Sequence, residues 1–168
     1  MKKFTAVLAF ALLLTACSPT NSRSDSLAVV TSMYPAHFLA ERIGGDLVSV
    51  SSVTPDNADP HEAELSPRAT AELVDADVVL WFKGLQPAVD SSIAEANRPQ
   101  DTTVNLASDR SKESKDSNKA ASAQDSADPH SWLDPAHMAN AAQLVHDALL
   151  AAAPQHKDEF ASNLAETL

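Results

Sequence analysis

Behind the basic start Met1-Lys2-Lys3, residues Phe4 to Leu14 are apolar except for Thr5. A bilayer-spanning helix takes about 20 residues, so this shorter run predicts the core of a signal peptide occupying residues 1–16. From 17 to 26 the chain is polar and without hydrophobic period, the pattern of a flexible tether. Leu27 to Met33 is a short apolar, β-branched run that predicts a strand. Pro35 then suits a helix start, Phe38, Leu39, Arg42 and Ile43 follow at helical spacing, and Gly44-Gly45 ends the helix. A second strand is predicted over Leu47 to Val53, followed by a loop from Pro55 to Glu64. Ser66-Pro67 opens a helix to about Ala76, with Ser66 as its cap. Asp77 to Phe82 is a nearly continuous apolar strand, suited to a parallel sheet covered on both faces. A helix over 87–97 and a short strand over 102–106 follow. The order βαβαβαβ implies an α/β domain with a small parallel sheet flanked by helices.

After that strand the periodicity stops. Residues 108–127 lack aromatic and large aliphatic side chains and predict a disordered surface loop. Pattern returns at Pro129, and a helix is predicted from Pro135 to about Ala152, with Met138, Ala141, Ala142, Val145 and Leu149 on one face. Residues 154–168 form a further helix in which the chain ends. The folded unit is therefore expected over 27–153, large enough for one domain with a core.

Charge and the one cysteine narrow the setting. The formal net charge is −11, and loss of Lys2 and Lys3 with a signal peptide would make it −13. An acidic body argues against nucleic acid as a partner, because phosphate backbones reward basic patches. Leu14-Thr15-Ala16-Cys17 resembles the bacterial lipobox, in which the cysteine is lipidated and becomes the mature N-terminus. Cys17 is the single cysteine, so no disulfide can form within the chain. These residues predict a membrane-anchored, extracytoplasmic lipoprotein.

The candidate chemistry lies in a repeated tripeptide. Asp-Pro-His occurs as Asp59-Pro60-His61 and as Asp128-Pro129-His130. Shuffling this composition yields about 0.03 copies, so chance is a poor explanation for two. Histidine is the commonest metal-binding side chain, and its ligating nitrogen has to be held at a fixed angle. Proline fixes one backbone dihedral just before it, and aspartate two residues earlier tightens the turn through backbone amides. Two such loops can present two imidazoles to one ion. Taken alone, His61 reads equally as a loop histidine capping backbone groups, and His130 as a helix-entry histidine packed on Trp132. Asp59, Asp128 and Asp134 are expected as turn formers or as carboxylates orienting the imidazoles rather than as ligands. His37 reads as structural or surface, His146 and His156 as solvent-facing, and His137 as no ligand. Glu62 and Glu64 beside His61 raise a metallohydrolase reading. There is no His-Glu-x-x-His pattern and no nucleophile arrangement, so an enzyme is not expected.

Val30-Thr-Ser-Met-Tyr-Pro35, Leu39-Ala-Glu-Arg-Ile-Gly-Gly45, Ala58-Asp-Pro-His61 with Ser66-Pro67, and Asp128-Pro-His-Ser-Trp-Leu-Asp-Pro135 resemble the zinc/manganese substrate-binding lipoproteins of bacterial ABC importers, the cluster that includes the pneumococcal-type surface adhesin antigens. The resemblance implies two α/β lobes joined by a long helix, with a Zn²⁺ or Mn²⁺ ion between the lobes and an ABC permease as the partner. It implies that His61 and His130 are the two ligands from the N-terminal lobe, the other two, a His or Glu and an acid, coming from the C-terminal lobe. By that pattern this chain is expected to be the N-terminal lobe alone, ending at Leu168 early in the linking helix, which starts at 154. The alternative is a truncated, transport-incompetent surface or adhesion lipoprotein. Zinc-specific members often carry a histidine-rich loop, whereas residues 108–127 contain no His, which removes one argument for zinc over manganese.

Overall fold

The computed structural model describes residues 26–55, 57–108 and 130–168. The expected signal peptide, Cys17 with all but the last residue of its tether, the loop residues 109–127 and Asp128 lie outside the described residues.

Four strands, β1 (Leu27–Thr31), β2 (Val48–Ser52), β3 (Val78–Trp81) and β4 (Thr103–Asn105), form one sheet in the order β2-β1-β3-β4. Every pairing is parallel, with Leu27 opposite Val48, Val29 opposite Val78 and Val79 opposite Thr103. Parallel neighbours need crossover connections, which α1 (Tyr34–Gly44), α2 (Pro67–Asp75) and α3 (Pro87–Ala96) supply. Two longer-range elements complete the fold, α4 (Pro135–Ala152) and α5 (Lys157–Thr167). Proline in the first turn starts α1 to α4, where its missing N–H is not needed. Ser66 caps α2 as expected, accepting from the Ala69 amide at 3.1 Å. The expected α/β class with a small parallel sheet is borne out, and each predicted element lies within two residues or so of its observed bounds.

Successive strand residues face opposite sides, and the core divides accordingly. Val29, Val78 and Leu80 join Leu39, Ile43, Val145, Leu149 and Phe160 in the larger core beneath α1, α4 and α5. Val30 and Val79 join Val53, Leu73 and Val89 in the smaller core beneath α2 and α3. At the end of α1 a Cβ on Gly44 would overlap the Val48 side chain, and Gly45 has φ +55°, so both glycines are needed for the tight return into β2. Asn163 on α5 donates to the Ile43 carbonyl at 3.0 Å and fastens α5 to that corner. Among the described residues no helix is long and apolar enough to cross a membrane.

Two histidine expectations are corrected. His146 is only 14% exposed, because it lies four residues after Ala142 and three before Leu149, both buried on the same side of α4. Its Nδ1 meets Asp147 Oδ1 at 3.0 Å. His156 is half-buried, its ring set edge-on to Phe160 one turn later, with centroids 6.0 Å apart. His37 pairs instead along its own helix, Nε2 lying 3.2 Å from Glu41 Oε1.

Candidate metal centre

In a sheet ordered β2-β1-β3-β4 the connections leave β1 and β3 in opposite directions, and the crevice at the carboxyl ends of these strands is where such folds bind ligands. Both candidate histidines come from connections that leave the carboxyl ends of strands. His61 sits in a single 3-10 turn, Pro60–Glu62, between β2 and α2. The Asp59 side chain accepts from the His61 backbone N–H at 2.9 Å, so this carboxylate shapes the turn and does not hold the ring. His130 directly precedes another such turn, Ser131–Leu133, which leads into α4.

The two rings meet. His61 Nε2 and His130 Nε2 are 3.1 Å apart, with ring centroids 5.2 Å apart and planes tilted by 46°. Both residues are exposed. Nitrogens this close share either one proton or one cation, since two protonated rings would repel. Two nitrogens at zinc–nitrogen distances of about 2.0–2.1 Å on adjacent corners of a tetrahedron stand roughly 3.3–3.4 Å apart. The observed spacing is within a few tenths of an ångström of that edge, so the pair fits one small divalent ion with little movement. Among the described residues no third His, Cys, Asp or Glu joins the pair into a larger metal-holding group. The groove bounded by Ala28, Val30, Ser49, Ser51, Arg68 and Glu72 lies between the sheet and α2 and holds neither histidine. The histidine pair is thus an open surface site.

Different supports hold the two rings. The His130 ring lies against Trp132, centroids 5.2 Å apart, and Trp132 in turn meets Phe82 edge-on at 5.4 Å. Phe82, immediately after β3, is buried in the larger core. His130 is thereby tied through two aromatic rings to the sheet. The expected packing of His130 on Trp132 is present, and it coexists with the approach to His61.

Asp134 has another task. Its Oδ1 accepts from the Ala136 amide at 2.9 Å, capping α4, and its Oδ2 stands 3.3 Å from His137 Nδ1. The Ala136 N–H, and after it His137, hold the Asp134 carboxyl below the usual carboxylate range. Asp59 and Asp134 therefore act in the described bonds as turn and cap formers. Phe82, which stands behind Trp132, is the support that the sequence did not single out. Phe82 carried a visible signal as the apolar end of a strand.

Residues 29–168 match the family described as zinc-uptake complex component A, periplasmic. The high-affinity zinc uptake system protein ZnuA of Yersinia pestis is 33% identical over 181 residues, which cover 95% of this chain and 56% of that protein. The manganese ABC transporter substrate-binding lipoprotein PsaA of Streptococcus pneumoniae is 30% identical over 178 residues, covering 98% of this chain and 56% of that protein. A crystal structure of ZnuA superimposes with a TM-score of 0.66 at 28% identity, over 84% of this chain and 53% of that one. The chain thus spans a little over half the length of these relatives. The resemblance carried by the two Asp-Pro-His segments and their flanks is borne out.

Proposed function

The chain belongs to the family of periplasmic zinc-uptake complex component A proteins, and from that membership we propose that it captures a divalent metal ion, Zn²⁺ or Mn²⁺, outside the cytoplasm and hands it to an ABC permease. His61 and His130 are the ligands it contributes, Cys17 is the lipid-bearing residue, and residues 27–153 are the metal-binding lobe, with 154–168 beginning the linking helix. The observation that supports this reading is the 3.1 Å approach of the two Nε2 atoms from histidines 69 residues apart.

Each ring offers one nitrogen lone pair to the ion. Two imidazoles make half of a tetrahedral shell, the rest being supplied by other groups in the working receptor. Imidazole suits zinc well, whereas manganese is better served by carboxylate, carbonyl and water oxygens, so the donors of this lobe favour zinc. Capture needs both nitrogens unprotonated, and acid therefore weakens it. The open position of the pair suits an ion that is picked up and given away.

The test is a calorimetric titration of Zn²⁺ and of Mn²⁺ into the chain from Ser18 onward, which contains every described residue, with His61→Ala and His130→Ala beside it. One zinc ion per chain, bound more tightly than manganese and lost in both variants, is the expected result. Binding indifferent to both substitutions would remove the reading.

A further inference from the structure

Three connections that leave the sheet at its carboxyl end meet in a buried polar cluster. Ser32 follows β1, Thr54 follows β2, and Gln86 precedes α3; they are 2%, 8% and 1% exposed. The Thr54 hydroxyl donates to the Ser32 carbonyl at 2.5 Å. Its proton being used there, the same oxygen accepts from the Gln86 Nε2 amide at 2.6 Å. Gln86 is itself fixed, because Asp90 accepts from the Gly84 amide at 2.9 Å and from Trp81 Nε1 at 3.0 Å, closing the turn that leads to it. Among the described residues, two buried atoms of the cluster, Ser32 Oγ and Gln86 Oε1, meet no hydrogen-bond partner.

Buried polar groups left without partners destabilise a fold, and an apolar residue of similar shape would serve packing better. The Gln86 amide is committed to Thr54, which ties the approach to α3 to the connection that follows β2. Thr54 is the root of the connection that carries His61, where Ser52 Oγ also accepts from the Thr54 amide at 3.3 Å and donates to its carbonyl at 3.1 Å, and the Ala58 amide donates to the Pro55 carbonyl at 3.0 Å ahead of the Asp59 turn. We propose that Gln86 and Thr54 are positioning residues for metal binding: together they fix the direction in which the chain leaves β2 and so aim the His61 ring at His130. The inference rests on the reading of His61 and His130 as metal ligands. It places a requirement for affinity some distance from either imidazole, on groups that touch no metal.

The experiment is zinc calorimetry on the chain from Ser18 onward carrying Thr54→Val, Thr54→Ser, Gln86→Met or the Thr54→Val/Gln86→Met pair, with thermal unfolding of each metal-free form and His61→Ala as reference. Supports around a ligand typically change affinity about 10- to 100-fold, and a loss of about tenfold is expected for Thr54→Val and for Gln86→Met. The double variant should lose little more than either single one, since both cut the same chain of bonds. Thr54→Ser keeps the hydroxyl and should bind within about twofold of the parent, a rescue that a purely packing role for Thr54 would not give. The unfolding temperature of metal-free Gln86→Met should stay near that of the parent or rise. If Gln86→Met does not fold, the contrast between Thr54→Val and Thr54→Ser carries the test alone. Parent-like binding by Thr54→Val, or equal losses in Thr54→Val and Thr54→Ser, would overturn the inference while His61→Ala still abolished binding. Zinc binding untouched by His61→Ala would instead overturn the reading of the metal site on which it rests.

Discussion

His61 and His130 are each preceded by Asp-Pro, yet the two are supported by opposite kinds of chemistry. Behind His130 stands an aromatic relay, Trp132 on Phe82, which ends in the apolar core under α1 and α4. Behind His61 stands a hydrogen-bonded relay, Thr54 to Ser32 and Gln86, with two buried atoms that meet no partner among the described residues. The first support is also part of what holds the fold together. The second contributes direction, because its polar groups give up water to be where they are. A repeated tripeptide thus marks where the two imidazoles meet, and the surroundings decide how each is held.

The largest expected effect comes from the rings themselves. Replacing either His61 or His130 by Ala should weaken zinc binding by about 100-fold or more, which calorimetry reads directly, because one imidazole cannot hold the ion as the pair does. Next is the aromatic relay. Phe82→Ala should destabilise the protein by about 3–5 kcal/mol in denaturant unfolding, since a buried ring is lost from the core. Trp132→Ala should weaken zinc about tenfold and lower stability as well, whereas Trp132→Phe should keep most of both. That pairing of losses is the signature that separates the His130 side from the His61 side, where Gln86→Met is expected to lower affinity with stability almost unchanged. If Trp132→Ala left zinc binding at the parental level, the aromatic ring would be core packing alone and the comparison would fail on that side.

The smallest effect concerns pH. The folded Asp134 carboxyl is held below its ordinary value of 3.8, so it stabilises the start of α4 above that pH and loses the contribution as pH falls through the lowered value. Asp134→Asn keeps an acceptor at the cap but cannot titrate. Its unfolding should therefore depend slightly less on pH below about 4 than that of the parent. Because the Asp134 side chain is 56% exposed, the difference should be small, and a large one would mean that Asp134 has a further charged partner.

Most of the sheet was legible because each strand is a β-branched or apolar run bounded by proline, glycine or a capping serine. The long helix α4 was legible from Pro135 and the spacing of Ala141, Ala142, Val145 and Leu149. The His61–His130 pair was legible as a candidate because a tripeptide rarely recurs by chance. Their supports were not, since Gln86, Thr54 and Ser32 lie far apart in sequence and have no periodicity in common. Only the strand order brings their backbones together. His146 was misjudged for a related reason: a polar side chain on the shoulder of a wide buried face is covered by its neighbours, whatever its own polarity. The supports follow from tertiary contact, the ligands from local sequence.

X-ray absorption at the zinc edge of the metal-loaded chain reads whether these two imidazoles together hold one divalent ion. Two imidazole ligands from the chain at about 2.0–2.1 Å are expected, falling to one in His61→Ala and to one in His130→Ala. A spectrum without imidazole scattering, or one that neither substitution changes, would contradict that coordination.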